Sequence, residues 1–235
     1  ETVMQLSEDG TKLIGSMKEV RCDSVGMSGG WNPTVHLFSQ SGGKLKWDEE
    51  LAQFLPKTAT QNLVSIGGCD GTQGLRNCLK AGLKTGEESA NATNNKGRAP
   101  RLPKIIEPKY NDQRTVWLIP PERANKKTGK YFVDFQNDVT ASDIGLAARE
   151  GYRSVEHLKR YTTMGMGTDQ GKTSNVAALA ILGETLGTAA PNIGHTTFRP
   201  PYTPATIGAY AGRNLGALFD PVRTTVMHEF HKELG

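Results

Sequence analysis

Long apolar runs and cysteine clusters are missing from this sequence of 235 residues. No run approaches the roughly 18–20 apolar residues that a membrane-spanning helix needs, and no signal-peptide pattern opens the chain. We therefore expect a soluble, cytoplasmic protein without a membrane partner. The three cysteines, Cys22, Cys69 and Cys78, form neither a C-x-x-C pair nor a pattern spaced with histidine. Their number excludes a disulfide-rich scaffold and fits a reducing compartment, and their spacing argues against a sequence-encoded metal site.

Signatures of catalysis are missing as well. The chain contains no G-x-G-x-x-G fingerprint, no nucleophile elbow and no Ser-His-Asp arrangement. His228 and His231 lie three residues apart and could share one helical face, but no third metal ligand accompanies them. No catalytic residue and no metal ligand is assigned from the sequence.

Positive charge is concentrated in one segment. Residues 84–130 hold eleven Lys or Arg and five Asp or Glu, a local net charge of +6, although the whole chain carries only +4. The segment also contains five prolines and lacks interleaved aromatic pairs, so a solvated, irregular connection is favoured over a patch for nucleic acid.

The first half of the chain is predicted to mix short strands and helices. Apolar alternation predicts strands over residues 12–17 and 22–27, followed by a short helix with Val35, Leu37 and Phe38 on its apolar face. A buried parallel strand is predicted over residues 63–66, then a glycine turn, then a helix through Leu75 and Leu83.

The second half is predicted to be mostly helical. Strands are expected over residues 115–121 and 131–135. Thr140 or Ser142 is expected to cap a first helix ending near Gly151, and Ser154 a second over residues 155–161. A third helix is predicted over residues 175–182, and an extended linker over residues 191–204. A further helix is predicted through Ile207, Leu215 and Leu218, and another at the C-terminal end.

Two glycine-rich segments follow predicted strands. In "GGCDGTQGL", residues 67–75, Gly68 and Gly71 permit close backbone approach, so the turn either lines a cofactor or makes a tight connection. In "SGGWNP", residues 28–33, Trp31 either stacks on an adenine or flavin ring or covers a domain seam. In "YTTMGMGTDQGKTSN", residues 161–175, the glycines predict a backbone that bends closely around something.

Two stretches together resemble a known family. The first comprises "CDSVGMSGGWNPTVHLFSQSGGKLKWDEELAQFLP" and "IGGCDGTQGLRNCLKAG", and it resembles the last part of a flavoprotein module with two dinucleotide-binding domains. The second comprises "FVDFQNDVTASDIGLAAREGYRSVEHLKRYTTMGMGTDQGKTSN" and "HTTFRPPYTPATIGAYAG", and it resembles the next domain of the α subunits of heterotetrameric sarcosine oxidases. The likeness covers nearly the whole chain outside residues 84–110.

The resemblance implies a domain division and a fold class. Residues 1–86 would end a domain of the FAD- or NAD(P)-binding type, and residues 87–130 would form a basic linker with short strands. Residues 131–190 would form a helical domain like a bacterioferritin-associated ferredoxin, and residues 191–235 an extended linker and the start of a folate-binding domain. The expected fold is thus α/β, a partial dinucleotide-binding domain, followed by a small, mostly α-helical domain within a longer polypeptide.

The resemblance also identifies what the glycine-rich loop would enclose. In relatives of this helical domain, four cysteines hold a [2Fe–2S] cluster, and their positions fall on Asp134, Gln136, Asp169 and Ser174 here. Carboxylates, an amide and a hydroxyl cannot replace thiolate ligands, so no iron–sulphur cluster is expected. Two readings of the loop stay open. Either it only closes the domain, or Lys172 and its threonines face a phosphate of FMN at a subunit boundary.

The resemblance further implies NAD on the α subunit, with Gly68, Gly71, Gln73 and Leu75 as contacts. FAD and covalent FMN would belong to the complex, mainly to the β subunit, and tetrahydrofolate to the domain that follows. The expected function is oxidative demethylation of sarcosine, a small amine, by an assembly with β, γ and δ subunits and without nucleic acid. One alternative is the α subunit of a flavin-dependent proline, opine or dimethylglycine dehydrogenase. Another is a non-catalytic assembly scaffold.

Overall fold

The computed structural model describes residues 2–26, 29–95, 100–108, 114–120, 129–213, 215–216 and 222–235. By their internal contacts these residues divide into two compact units, 1–202 and 203–235. Within the described residues, no helix combines the length and the apolar character that crossing a lipid bilayer requires.

The first unit begins with two antiparallel hairpins. Strand β1, Thr2–Leu6, pairs with β2, Leu13–Glu19, and after helix α1, His36–Gln40, strand β3, Lys44–Asp48, pairs with β4, Gln53–Thr58. A 3-10 turn over Gly67–Asp70 then leads into the long helix α2, Leu75–Ala92. The predicted strand over residues 12–17, the short helix and the helix through Leu75 and Leu83 are confirmed.

Helices dominate the rest of the first unit. The hairpin of β5, Phe132–Asp134, and β6, Val139–Thr140, precedes α3, Ala141–Arg149, α4, Val155–Thr162, α5, Asn175–Leu186, and the short α6, Ala190–Ile193. The predicted helices over 155–161 and 175–182 are confirmed, and the second extends to Leu186. The mixed α/β fold class is therefore confirmed.

Local signals explain why these helices begin where they do. The Thr140 hydroxyl accepts from the backbone N–H of Asp143, whose carboxylate in turn accepts from the Thr140 N–H at 2.8 Å. This reciprocal capping box satisfies two amide donors that a helix start leaves unpaired. At α4 the hydroxyl of Ser154 accepts from the backbone N–H of His157 at 3.4 Å, without a reciprocal bond.

The core lies in this helical part. Ile144, Leu158, Met164 and Leu182 have no exposed surface, and α5 is buried along most of its length. A helix that is apolar nearly all round must be covered on several sides. Helices α3 and α6, together with part of the first half of the chain, supply that cover.

Three predicted strands are wrong. Residues 22–26 form no strand, nor do 63–66 or 115–120, while 27 and 121 lie outside the described residues. The segment 63–66 is exposed, with Val64 at 64%, and it is paired with no strand in the described part of the chain. Because a strand satisfies its backbone groups only through a neighbour, an apolar run alone does not make one.

The described residues of the second unit include two short helices, α7, Ile207–Ala211, and α8, His228–Leu234. Helix α7 ends before Leu215, so the predicted continuation through that residue is wrong, and Leu218 lies outside the described residues. Gly212, with φ +69°, follows the last turn and ends the helix there.

Candidate functional site

The loop between α4 and α5 bends around the carboxylate of Asp134. This side chain is 3% exposed and accepts hydrogen bonds from the backbone N–H groups of Gly165 at 2.6 Å, Gln136 at 2.9 Å and Asn137 at 3.2 Å. Bonds of backbone amides to an ionised acceptor are among the strong ones in proteins. The loop supplies one of these N–H groups, from Gly165, and the β5–β6 turn supplies the other two, from Gln136 and Asn137.

Glycine is required at two positions of this loop. Gly165 and Gly171 have φ angles of +68° and +71°, and a Cβ atom on either would lie within 2.4 Å of Asn175 Oδ1. That contact is far inside van der Waals distance, and the backbone conformation itself disfavours other residues. The glycine pattern thus marks close packing of the loop onto the first turn of α5.

The four positions that the resemblance assigns to cluster cysteines all lie in or beside this loop. Ser174 Oγ approaches Asp134 Oδ2 at 3.5 Å, and Gln136 Oε1 accepts from Thr168 Oγ1 at 3.2 Å. Asp169 accepts from the N–H of Gly171 at 2.9 Å. The side-chain oxygens at these positions already form hydrogen bonds within the domain. As metal ligands they do not replace the soft thiolates that a [2Fe–2S] cluster requires.

Lys172 turns toward residues 195–202, here called the strap. Its ammonium donates to the carbonyl of Tyr202 and lies 4.3 Å from the centre of that ring. Gln170 holds the same strap through the carbonyls of Arg199 and Pro201, both at 3.0 Å. Asn175 holds it through the hydroxyl of Thr196 at 2.7 Å.

The loop threonines bond locally. Thr162 Oγ1 donates to the carbonyl of Leu158 at 2.8 Å, Thr163 Oγ1 to that of Thr162 at 2.6 Å, and Thr173 Oγ1 to Asp169 Oδ2 at 3.0 Å. The predicted contact of Lys172 and these hydroxyls with an FMN phosphate stays a prediction.

A small cavity lies where α1 and the β3–β4 hairpin meet α5 and the strap. Its volume is about 40 Å³. Apolar and aromatic side chains form most of its wall. The polar lining residues include His36, Lys172, Asn175, His195 and Thr196. Because His36 and Lys172 are 136 positions apart in the chain, the cavity depends entirely on tertiary packing.

His36 is the unusual group in this cavity. The residue is 7% exposed, its ring centre lies 3.8 Å from that of Phe198, and neither ring nitrogen has a hydrogen-bond partner in the described residues. Burial, and second the positive charge of Lys172, lower the pKa of His36 to about 4. His36 is therefore neutral near pH 7, with one donor and one acceptor nitrogen.

The predicted dinucleotide contacts divide into two groups. Gly68, Gln73 and Leu75 are exposed, and an added Cβ on Gly68 would meet no atom within 4 Å. In contrast, a Cβ on Gly71 would lie 2.8 Å from Leu55, so this glycine serves internal packing. The turn thus leaves a ligand free access to Gly68 and not to Gly71.

The first turn of α2 already holds an anion. Glu107 Oε1 accepts from the backbone N–H of Arg76 at 2.9 Å, and Arg76 Nη2 donates to the carbonyl of Ile105 at 2.8 Å. A helix N-terminus attracts phosphate through such free N–H groups. With Glu107 in place the start of α2 does not fit a phosphate.

Trp31 and the pair His228 and His231 are also considered as functional residues from the sequence. The indole of Trp31 is 87% exposed, so it covers no seam in the described part of the chain. His228 and His231 lie on α8, and the described residues contain no group of three or more His, Cys, Asp or Glu that could hold a metal ion.

Sequence reasoning missed the role of His36 and of Glu107. His36 follows Val35 in an apolar helix start, and a lone histidine in such a position carries no functional signal. Glu107 reaches α2 across 31 residues. No spacing rule links such distant positions, and only related sequences that vary together could have revealed them.

The fold is mixed α/β, and a solved structure shares this architecture. The structure of L-proline dehydrogenase from P. horikoshii superimposes on 76% of this chain and 37% of that chain, with a TM-score of 0.56. The two are 15% identical in sequence, so the likeness shows the fold alone.

Sequence comparison gives a more specific similarity. The sequence model of the sarcosine oxidase A3 domain matches residues 128–213. The sarcosine oxidase α subunit of Corynebacterium sp. (strain P-1) is 39% identical and that of Rhizobium meliloti (strain 1021) 40% identical, over 99% and 94% of this chain. These alignments cover 24% and 22% of the two relatives. The chain is thus similar to sarcosine oxidase α subunits along nearly its whole length, and it spans about a quarter of theirs.

Proposed function

We propose that the chain is part of the α subunit of a sarcosine oxidase. The complete assembly would demethylate sarcosine oxidatively to glycine, reduce a flavin and then oxygen, and transfer the one-carbon unit to tetrahydrofolate. The observation that supports this proposal is 38–40% identity to three sarcosine oxidase α subunits over 94–99% of the chain. No residue of this segment is assigned to the amine oxidation itself.

The cofactor proposal places NAD on the α subunit, with FAD and covalent FMN elsewhere in the complex, mainly on the β subunit. The exposed turn at Gly68, Gln73 and Leu75 supports contact with a neutral part of the dinucleotide. Glu107 at the start of α2 favours a pyrophosphate position outside this helix. Tetrahydrofolate would bind in a domain following this segment.

We also propose that the helical domain carries no iron–sulphur cluster. The support is the donor set at the four cluster positions and the use of Asp134 as an internal acceptor for three backbone amides. A metal-bound thiolate in place of that carboxylate would remove the hydrogen bonds that it accepts from the N–H groups of Gly165, Gln136 and Asn137. The domain would then serve the assembly as a structural element.

The proposed partners are β, γ and δ subunits in a cytoplasmic heterotetramer, with a small amine as substrate. The domain division at residues 1–86, 87–130, 131–190 and 191–235 belongs to the same proposal. Lys172 would contact an FMN phosphate at the boundary with the β subunit. A Lys172→Ala assembly with unchanged FMN content and turnover would exclude that role.

The test uses the full α subunit purified with its native partners. Oxygen uptake with sarcosine, denaturing mass spectrometry and absorption would show whether the assembly oxidises sarcosine and which of NAD, FAD, FMN and iron it contains. We expect sarcosine-dependent oxygen uptake and glycine formation. Electron transfer only to a dye, with proline, an opine or dimethylglycine as substrate, would replace the proposal by the dehydrogenase alternative. Salt-sensitive DNA binding without amine oxidation would favour the scaffold.

The NAD contact has its own variant. Gly68→Val adds bulk to the exposed turn, where an added Cβ meets no atom within 4 Å, and should lower the NAD content of the purified assembly without unfolding it. Gly26→Val at another open position serves as the control. Equal NAD content in both variants would remove Gly68 from the site.

A further inference from the structure

The cavity between α1 and α5 combines an apolar wall with five nitrogen-bearing side chains, those of Asn32, His36, Lys172, Asn175 and His195, and no carboxylate. Among its lining residues, Phe54, Leu179 and Phe198 supply apolar surface, while His36 and Lys172 supply polar atoms, and no Asp or Glu is present. A water needs roughly 10–15 Å³ of such space, so the 40 Å³ found here hold about three waters or one ligand of three to four heavier atoms.

His36 requires a partner that the described residues do not provide. A neutral imidazole has one N–H donor and one acceptor nitrogen, and a buried polar group left unpaired costs about 1–3 kcal/mol. Since the ring is 7% exposed and packed against Phe198 and Tyr202, bulk water has little access to it. An occupant of the cavity would satisfy the imidazole.

Lys172 lacks a counter-ion. Its ammonium carries three hydrogens, one of which bonds the carbonyl of Tyr202. Tyr202 also offers its ring face, but no carboxylate pairs with Lys172 among the residues that the structure describes. A half-buried cation without an anion is costly, and a small anion beside it recovers part of that cost.

We propose that this cavity binds a small monocarboxylate of the size of formate or acetate. One carboxylate oxygen would accept from the ammonium of Lys172 and the other from the N–H of His36, while any methyl group would face the apolar wall. A volume of about 40 Å³ suits a planar anion of three or four heavy atoms. The proposal does not rest on the oxidase activity, but it gives the ammonium of Lys172 a different ligand from the proposed FMN phosphate, so the two roles of Lys172 are alternatives.

Acetate and formate are the probes, added to the full chain near pH 7.5. Long-range proton–nitrogen NMR would follow the ring nitrogens of His36, and calorimetry the affinity. We expect a saturable shift of the His36 signals and millimolar binding, as befits a ligand of four heavy atoms. Lys172→Met should weaken binding at least tenfold, Lys172→Arg should retain most of it, and Lys84→Met, at a lysine that is 76% exposed, should leave it unchanged.

His36→Phe removes the imidazole and His36→Gln restores a donor of similar reach, so the pair separates lost packing from a lost hydrogen bond. Circular dichroism and urea midpoints establish that each variant is folded. The proposal is overturned if acetate and formate leave the His36 signals unshifted, if Lys172→Met binds acetate as well as the parent chain, or if inorganic phosphate or methylammonium binds more tightly than acetate.

Discussion

Acid should destabilise the first unit through His36. Burial, and second the charge of Lys172, lower the pKa of this histidine from 6.5 to about 4. The unfolded chain takes up a proton near pH 6.5, whereas the folded chain resists it until about pH 4. The contribution of His36 to the free energy of unfolding is therefore complete above pH 6.5 and is lost as the pH falls toward 4. Linkage gives a loss of about 2 kcal/mol between pH 8 and pH 5, and about 3 kcal/mol at the lower limit.

Urea unfolding followed by tryptophan fluorescence at about pH 8 and pH 5 measures this loss. Carboxylates also titrate over this interval, so the informative quantity is the difference between variants. His36→Phe keeps an aromatic ring in the cavity but cannot be protonated, and should lose about 2 kcal/mol less than the parent chain. His157→Gln, at an exposed histidine on α4, should behave as the parent chain does.

The other charged or titratable groups at the cavity are Lys172, His195 and, on the strap, Tyr202. Lys172→Met removes the repulsion and should raise the pKa of His36 without restoring it fully, because burial remains. An NMR titration in which His36 titrates at pH 6 or above would refute the reasoning. So would an identical pH dependence in His36→Phe and the parent chain.

Three further predictions concern the helical domain. Asp134→Asn removes a charge that accepts from three backbone amides, and it should lower the free energy of unfolding by about 2–4 kcal/mol. The control Asp138→Asn, at an exposed position with φ +53°, should change the free energy of unfolding by less than about 0.5 kcal/mol. Urea unfolding measures both changes. Gly171→Ala should reduce the melting temperature more than Gly187→Ala. Both glycines have positive φ, but only at Gly171 would the added methyl group meet another side chain. Equal shifts of the melting temperature would contradict this reasoning. Thr140→Ala deletes the capping box of α3 and should cost about 1–2 kcal/mol, seen as faster amide hydrogen exchange in the first turn of that helix.

The helical domain could be predicted well because its signals are local. Thr140 and Ser154 cap helices within three residues of their partners, and these short-range patterns survive any change of context. The segment 63–66 shows the opposite case. Its apolar run is equally consistent with a strand and with an exposed connection, and only the presence of a neighbouring strand decides between them.

The candidate site could be predicted only in part. The closeness of Asp134 and Ser174, 40 residues apart, followed from the resemblance and not from spacing. The cavity between His36 and Lys172 had no sequence signal, because each residue is unremarkable in its own segment. Contacts of this kind arise from how helices and hairpins pack, which a single sequence does not encode in any local pattern.

The carboxylate at the centre of the glycine-rich loop has a consequence for how the domain is made. An anion supplied by the chain is present at a fixed effective concentration and loses no translational freedom when it binds. If the proposal that no cluster binds here is right, the shape of the loop does not depend on iron supply. A chelator that unfolds a metal-dependent domain should leave the bend between α4 and α5 as it is.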